Sequence, residues 1–375
     1  MDKVRIGVIG VGIIGKVHLN NYAKIDGAEV VAICDVNESE LQKVAAEHHI
    51  ADTYTDALEM IKRDDIDAVD ICLHNNLHAP FAIEALRAGK HVYCEKPIAG
   101  SYFDGKSMID AAKECEKKLH IHLGFLFSME TWAAKSLIDD GYLGKLYHAR
   151  SVGHRRRGRP YVDGYATKEF DNKYTAAGGA LFDMGVYRMS QILYLMNVPQ
   201  VKTITGRTYQ ELDMDAVRRQ NSGFNVEELG VGFVRFEDGS SLDVIEAWAM
   251  NLNGLGSSSI VGDKGGIRFS SQLNGVTTPF SYHTMIADMD MDATFDLNGA
   301  DYRWHQLRGN RDAYDSSQQH WIAALQGRVP LLPTADIALH TMLISEGIYL
   351  SDRLLREVTA EEVVFSSKSQ AIRSY

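Results

Sequence analysis

The sequence predicts an α/β protein of two domains: an N-terminal domain on a parallel, doubly wound sheet, and a C-terminal α+β domain with a large, mostly antiparallel open sheet. Three observations predict it. Apolar strand-like runs alternate with helical patterns from Val4 to Gly124, as in a sheet covered on both faces. The first of these runs leads straight into a glycine-rich turn. Beyond Gly124 the alternation gives way to successive strand-like runs divided by turn signals such as Glu237-Asp238-Gly239 and Gly262-Asp263-Lys264-Gly265. A chain of 375 residues exceeds one ordinary core, and the change of pattern divides it into residues 1–124 and 125–375.

The first strand, Val4 to Ile9, ends in Gly10-Val11-Gly12-Ile13-Ile14-Gly15, which opens a helix reaching about Ile25. A glycine pattern alone carries little, but between strand and helix it has a mechanism. Gly10 permits the tight turn, Gly12 lets backbone approach a pyrophosphate, and Gly15 lets helix and strand pack closely. The helix start at Ile13 and Ile14 adds unpaired N–H groups that favour phosphate. A second strand, Glu29 to Cys34, ends in Asp35, twenty residues beyond Gly15. An acid there accepts hydrogen bonds from ribose hydroxyls and repels a 2′-phosphate, and Val36-Asn37 offers no Arg to receive one. The cofactor expected is therefore NAD in preference to NADP.

The alternation continues through a helix at Glu38 to His48, a strand at Ala51 to Tyr54, a helix at Asp56 to Lys62 and a strand at Ala68 to Leu73. The loop His74-Asn75-Asn76-Leu77-His78 leads to a helix from Ala79 to Ala88, with Gly89 as C-cap. The next strand ends in Glu95-Lys96-Pro97, which puts an ammonium at the carboxyl ends of the strands, where open α/β sheets bind ligands. A helix from Phe103 to Lys117 and a strand from His120 to Gly124 complete the domain. The second domain reads as a helix from Met129 to Asp140, a strand from Gly144 to Ser151, a basic loop and a helix from Gly179 to Met196. Strands follow at Val201 to Thr208, Val226 to Phe236, Ser241 to Met250 and Ser257 to Val261, then helices at Ser316 to Leu325 and Ala335 to Leu354.

Composition narrows the function. A net charge of -11 argues against a broad basic face for nucleic acid or anionic membrane. No run of about 18 apolar residues occurs, and the start enters a strand without an apolar leader. We therefore expect a cytoplasmic protein acting on small molecules. Cys34, Cys72, Cys94 and Cys115 show no C-x-x-C spacing, and three of them end strand-like runs, so reduced, buried thiols are expected. His154, His283, His305 and His320 show no zinc-ligand spacing, and no metal is implied.

Taken together, the G-x-G-x-x-G on the first strand, the acid after the second, Ala88-Gly89-Lys90-His91-Val92 running into Glu95-Lys96-Pro97, and Gly178-Gly179-Ala180-Leu181-Phe182-Asp183-Met184-Gly185 resemble the Gfo/Idh/MocA oxidoreductase family across essentially the whole chain. The resemblance implies a Rossmann domain followed by an α/β domain whose open sheet mediates a homodimer or homotetramer, and oxidation or reduction of sugars, inositols and related polyols with NAD(P). It places Glu95 and Lys96 beside the cofactor, with Lys96 near the nicotinamide and the reacting oxygen, Asp183 as the acid of the second domain, and Asn75 and His78 in the cofactor-side loop. Leu73-His74 stands where Thr-Pro is usual, and Tyr187 stands where many members carry an acid/base His.

Oxidising a secondary alcohol requires a proton acceptor within hydrogen-bond reach of its hydroxyl while hydride leaves the carbon. A phenol of unperturbed pKa ~10 is a poor base, but a neighbouring ammonium favours the phenolate, so Lys96 and Tyr187 form a competent pair. Asp183 and Tyr187 lie four apart, on one face of the expected helix. Arg155, Tyr161 and Lys168, in the basic loop, are candidate contacts to a polyhydroxylated or anionic substrate. The expected activity is NAD-dependent hydride transfer from a secondary alcohol of a sugar, glycoside or cyclitol. Two alternatives stay open: an enzyme that retains NAD and works through a transient keto-sugar, and an NAD-binding regulator without catalysis.

Overall fold

The computed structural model describes residues 3–273 and 276–372. The chain forms two compact units, residues 1–122 with 308–339 and 368–375, and residues 123–307 with 340–367. The chain thus passes between units near residue 122 and again after residues 307, 339 and 367.

The first unit alternates β1 (Val4–Ile9), α1 (Ile13–Tyr22), β2 (Ala28–Cys34), α2 (Glu38–His48), β3 (Asp52–Tyr54), α3 (Ala57–Ile61), β4 (Ala68–Ile71), α4 (Asn75–Arg87), β5 (His91–Cys94), α5 (Tyr102–Glu114) and β6 (Leu119–Ile121). All six strands are parallel, in the order β3-β2-β1-β4-β5-β6. The order reverses between β1 and β4, and a ligand crevice opens at such a point. Strand residues are buried in near-continuous runs, as in a sheet with both faces covered. Side chains cap the helices: Asn37, Asp56 and Ser101 accept from Glu40, Leu58 and Asp104 N–H respectively.

Helix α4 starts four residues earlier than the expected Ala79, leaving Pro80 inside it. Proline cannot donate to the carbonyl four residues back. The Asn76 carbonyl instead accepts the N–H of Ile372 at 3.0 Å, so the C-terminal segment supplies the missing donor. A second late segment completes this unit: in the helix Ser317–Leu325, Trp321, Ile322 and Leu325 join the cluster of Val4, Ile6, Val8 and Tyr93. Ser317 Oγ accepts from Tyr93 Oη at 2.9 Å and lies 3.0 Å from His120 Nε2.

The second unit contains α6 (Met129–Asp139), β7 (Leu146–His154), β8 (Val201–Tyr209), β9 (Leu229–Phe236), β10 (Ser241–Ala247), β11 (Ser259–Gly262), β12 (Gly266–Arg268), β13 (Ser271–Leu273), β14 (Val276–Thr278), β15 (Ser281–Ile286), β16 (Met289–Thr294) and β17 (Val358–Thr359). Nine of these strands form one sheet, ordered β16-β15-β12-β11-β7-β10-β9-β8-β17. Only the β7/β10 pair is parallel, so the sheet is mixed and mostly antiparallel. Strands β12 to β16 and the helix Leu297–Leu307 are not anticipated from the sequence; β16, Met289-Asp290-Met291-Asp292-Ala293-Thr294, alternates apolar and polar residues but is largely exposed. The helix expected at Gly179 to Met196 is two pieces, a π-helical turn Leu181–Gly185 and an α-helix Val186–Leu195.

Cys34, Cys72, Cys94 and Cys115 are free thiols; the first three are buried and Cys115 is half-buried. Among the described residues no helix is long and apolar enough to cross a membrane.

Candidate active site

At the carboxyl edge of the parallel sheet, the glycine turn has the form a pyrophosphate needs. Gly10 adopts φ +90°, and a Cβ there would lie 2.4 Å from the Cys72 carbonyl. A Cβ on Gly15 would lie 2.0 Å from the Gly10 carbonyl, whereas one on Gly12 would meet nothing within 4 Å, leaving open space above the turn. No side chain caps α1, so the N–H groups of its first turn have no acceptor inside the helix. Both oxygens of Asp35 are engaged: Oδ2 accepts from Val11 N–H and Oδ1 from Asn37 N–H, each at 2.9 Å. Around them Ile13 (71%), Val36 (88%) and Ile14 are exposed. These features fit NAD.

The loop after β4 is held from below. His78 is fully buried, with Nδ1 2.7 Å from the Pro97 carbonyl and Nε2 3.0 Å from the Leu73 carbonyl. Burial pulls its pKa below the ordinary imidazole value. The ring lies between the exits of β4 and β5, and as a neutral imidazole it donates to one of the two carbonyls. Asn75 is also buried, in the first turn of α4. Glu95 and half-buried Lys96 leave β5, with the Lys96–Pro97 peptide cis. Glu95 is buried; its N–H donates to the Ile71 carbonyl and its Oε2 accepts the Lys96 N–H, both at 3.0 Å.

Sequence reasoning did not flag the charged group beneath this loop. His18 on α1 is completely buried, with Nδ1 2.9 Å from Asp70 Oδ2 and Nε2 2.9 Å from Glu95 Oε1. His122 Nδ1 lies 2.9 Å from the same Glu95 oxygen. The signal was present in Asp70, a carboxylate inside an otherwise apolar strand, since such a charge is not buried without a partner. His18, Glu95 and His122, and His18, Asp70 and Cys72, are the sets of ligand-type atoms that converge among the described residues.

In the second unit, Asp183 lies on the π-helical turn and Tyr187 follows in the first turn of the next helix. Insertions of this kind occur often at functional sites. The turn is anchored by buried Glu227, whose two carboxylate oxygens accept Gly179 N–H and Leu181 N–H, each at 2.9 Å. Asp183 Oδ2 accepts the Trp248 indole N–H at 2.9 Å, and the Tyr187 ring packs at 5.3 Å on Phe125. Next to it, Arg188 stacks on Phe125 at 5.8 Å and reaches within 3.6 Å of buried Glu246. Burial pushes the Glu246 carboxyl up to about 7, against the pull of Arg188 and Ser151 and with the help of the Asp183 charge. Phe125, Gly153, His154, Arg188, Gln191 and Ser257 border a cavity of about 560 Å³. Of these residues the sequence had singled out only His154, and that as a non-ligand.

The basic loop pairs largely within itself. Arg155 donates to the Gly158 carbonyl and to Tyr165 Oη, and its guanidinium lies 4.8 Å over the Tyr165 ring. Arg218 donates to the Tyr161 carbonyl and lies 5.3 Å over its ring. Lys168 is exposed on a short 3₁₀ turn. The loop's anchor is Arg159, fully buried and bonded to Asp163, Glu228 and the carbonyls of Leu212 and Asp213.

Two family models match the chain: "Oxidoreductase family, NAD-binding Rossmann fold" over residues 4–123, and "GFO/IDH/MocA C-terminal domain" over residues 131–268. The chain is 29% identical to the D-glucoside 3-dehydrogenase of Escherichia coli over 273 residues, 71% of this chain and 76% of that protein. It is 26% identical to the myo-inositol 2-dehydrogenase of Thermotoga maritima over 365 residues, 96% of this chain and 100% of that protein. The structure of the WlbA dehydrogenase from Bordetella pertussis, in complex with NADH and UDP-GlcNAcA, superposes with a TM-score of 0.77 at 24% identity, covering 95% of this chain and 97% of that one.

Proposed function

The chain belongs to the Gfo/Idh/MocA family and is an NAD-binding oxidoreductase, and from that premise we propose that it oxidises a secondary alcohol of a sugar, glycoside or cyclitol, with Lys96, Tyr187 and Asp183 serving one substrate. Similarity to a glucoside dehydrogenase and an inositol dehydrogenase supports the substrate class. The observation that carries the reading is Lys96, which leaves the second strand beyond the switch point of the parallel sheet with its peptide N–H held by a buried carboxylate. Bound NAD supplies an acceptor for the hydride of the carbinol carbon. The Lys96 ammonium hydrogen-bonds the substrate oxygen and stabilises the negative charge that grows there as the proton leaves. Tyr187 takes that proton, and Asp183 accepts a second hydroxyl and so fixes which carbon is oxidised. Arg155, Tyr161 and Lys168 contribute at the edge of the substrate.

Replacing Lys96 with Met keeps an unbranched side chain one atom shorter and removes the charge. We expect turnover with glucosides or inositols to fall by two or more orders of magnitude while NAD affinity stays within a few-fold, measured by steady-state kinetics and calorimetry. Turnover surviving within a few-fold overturns the assignment. The open sheet of the second unit is, on this reading, the surface through which copies of the chain assemble, and sedimentation analysis tests it.

A further inference from the structure

Each ring nitrogen of His18 faces a different carboxylate. Nδ1 lies 2.9 Å from Asp70 Oδ2 and 3.2 Å from Cys72 Sγ, and Nε2 lies 2.9 Å from Glu95 Oε1 and 3.1 Å from His122 Nδ1. A neutral imidazole has one N–H and one lone pair. In either neutral tautomer a lone pair would point at a carboxylate oxygen at hydrogen-bond distance, inside protein, where that repulsion is screened little. With both carboxylates ionised, only the doubly protonated ring donates to both.

The remaining donors and acceptors close the account without a metal ion. His122 Nδ1 donates to Glu95 Oε1 at 2.9 Å, the Cys72 thiol faces Asp70 Oδ1 at 3.5 Å, and Glu95 Oε2 accepts the Lys96 N–H at 3.0 Å. The titratable groups around the ring are Tyr22 on α1, Asp70 and Cys72 at β4, Tyr93 and Glu95 at β5, and His122 after β6. Burial opposes the charge on His18, but the Asp70 carboxylate, through its charge and its hydrogen bond, lifts the ring above its ordinary pKa. Burial alone would raise Glu95, but His122 and His18 hold it well below the carboxylate range. Burial pushes the Cys72 thiol up to about 12, so it stays protonated.

We propose that His18 is a positioning residue of the reaction: a buried imidazolium clamped between Asp70 and Glu95, it fixes the carboxylate that holds the Lys96 peptide N–H and so sets where the Lys96 ammonium stands. The clamp joins α1, which begins at the glycine turn, to the exits of β4 and β5. One buried cation therefore couples the cofactor turn to the proposed catalytic lysine. The proposal rests on the assignment of Lys96 above.

Two measurements on the full-length protein test it, and they fail separately. In ¹⁵N-histidine-labelled protein, the His18 ring should carry a proton on both nitrogens from pH 6 to pH 9, identified as the signals lost in a His18→Gln/Asp70→Asn variant. That variant removes one positive and one negative charge together, and Glu95 keeps its contact with His122. A ring with a single N–H at pH 7.5 overturns the proposal, as does stoichiometric zinc in the purified protein. In kinetics, folded His18→Gln or the double variant should lose about tenfold to a hundredfold in kcat, with NAD affinity within twofold and substrate KM little changed. A merely structural role would lower thermal stability and leave kcat intact in the folded fraction, which overturns positioning. If Lys96→Met keeps its turnover, the assignment of Lys96 falls while the charge on His18 is still read by NMR. If Lys96→Met is inactive and both His18 variants turn over normally, positioning alone falls.

Discussion

The Trp248 indole N–H donates to Asp183 Oδ2 at 2.9 Å, from a side chain fully buried in the second unit. This bond holds a half-buried carboxylate in one orientation on the turn that precedes Tyr187. Hydrogen bonds to charged groups are worth about 1.5–3 kcal/mol, and removing the donor takes this restraint from the carboxylate. Trp248→Phe should therefore lower kcat/KM by roughly tenfold or more, beyond its cost in stability. Kinetics on variant protein shown by circular dichroism to be folded checks this, and unchanged kcat/KM removes Asp183 from the substrate's contacts.

Asp35, the residue proposed to meet the ribose, also serves the backbone. Its two oxygens accept the N–H groups of Val11 and Asn37, so the acid also shapes the glycine turn. Asp35→Asn can satisfy only one of those donors and should weaken NAD binding by about 1–2 kcal/mol. The same change removes the repulsion of a 2′-phosphate, so the ratio of NAD to NADP affinity should fall, and further with Val36→Arg added. Titration of both nucleotides into the single and double variants measures the ratio. A preference that does not move would show that Asp35 does not face the ribose.

Glu246 makes a prediction about pH. Its folded pKa of about 7 lies above the value of 4.5 expected unfolded, and among the described residues its Oε2 has no hydrogen-bond partner. For a carboxyl with a raised folded pKa, the contribution to stability is full below pH ~4.5 and is lost as pH rises towards ~7, because the unfolded chain releases its proton first. The loss amounts to about 3 kcal/mol at most. Glu246→Gln should thus match the wild type near pH 4.5 and be more stable at pH 8. Denaturant titrations at the two pH values decide, and a difference independent of pH refutes the raised pKa.

Gly179 permits a close approach. A Cβ there would sit 2.0 Å from the Glu227 carbonyl oxygen, a backbone atom that cannot step aside. Gly179→Ala should cost about 2–3 kcal/mol or more, the price of overpacking plus a disturbed anchor at the start of the π-helical turn. Because that turn carries Asp183, the folded fraction should also lose substrate affinity. Thermal melts and KM determination test the two effects separately.

Much of the first unit was legible because its signals are local. The glycine turn lies within six residues, Asp35 ends the next strand, and alternating apolar runs specify a parallel sheet. The turn residues Glu237-Asp238-Gly239 likewise announced the hairpin of β9 and β10. The early start of α4 was not legible, because the donor that makes Pro80 tolerable comes from Ile372, almost three hundred positions away. Nor was the π-helical turn, since its anchor, Glu227, is distant in sequence and carries no local signature.

The sequence by itself determined the family, the nucleotide fingerprint and the candidates Lys96, Asp183 and Tyr187, all of which rest on short motifs whose spacing carries their chemistry. Only the tertiary structure decided what surrounds them. Asp70 and His18 stand 52 positions apart and His18 and Glu95 stand 77 apart, and one sequence read along its length assigns no partner to a buried charge. Folding brings them together because the carboxyl ends of neighbouring parallel strands and the helix after the glycine turn converge on one edge of the sheet. There, out of water, each charge is tolerated only because the others compensate it.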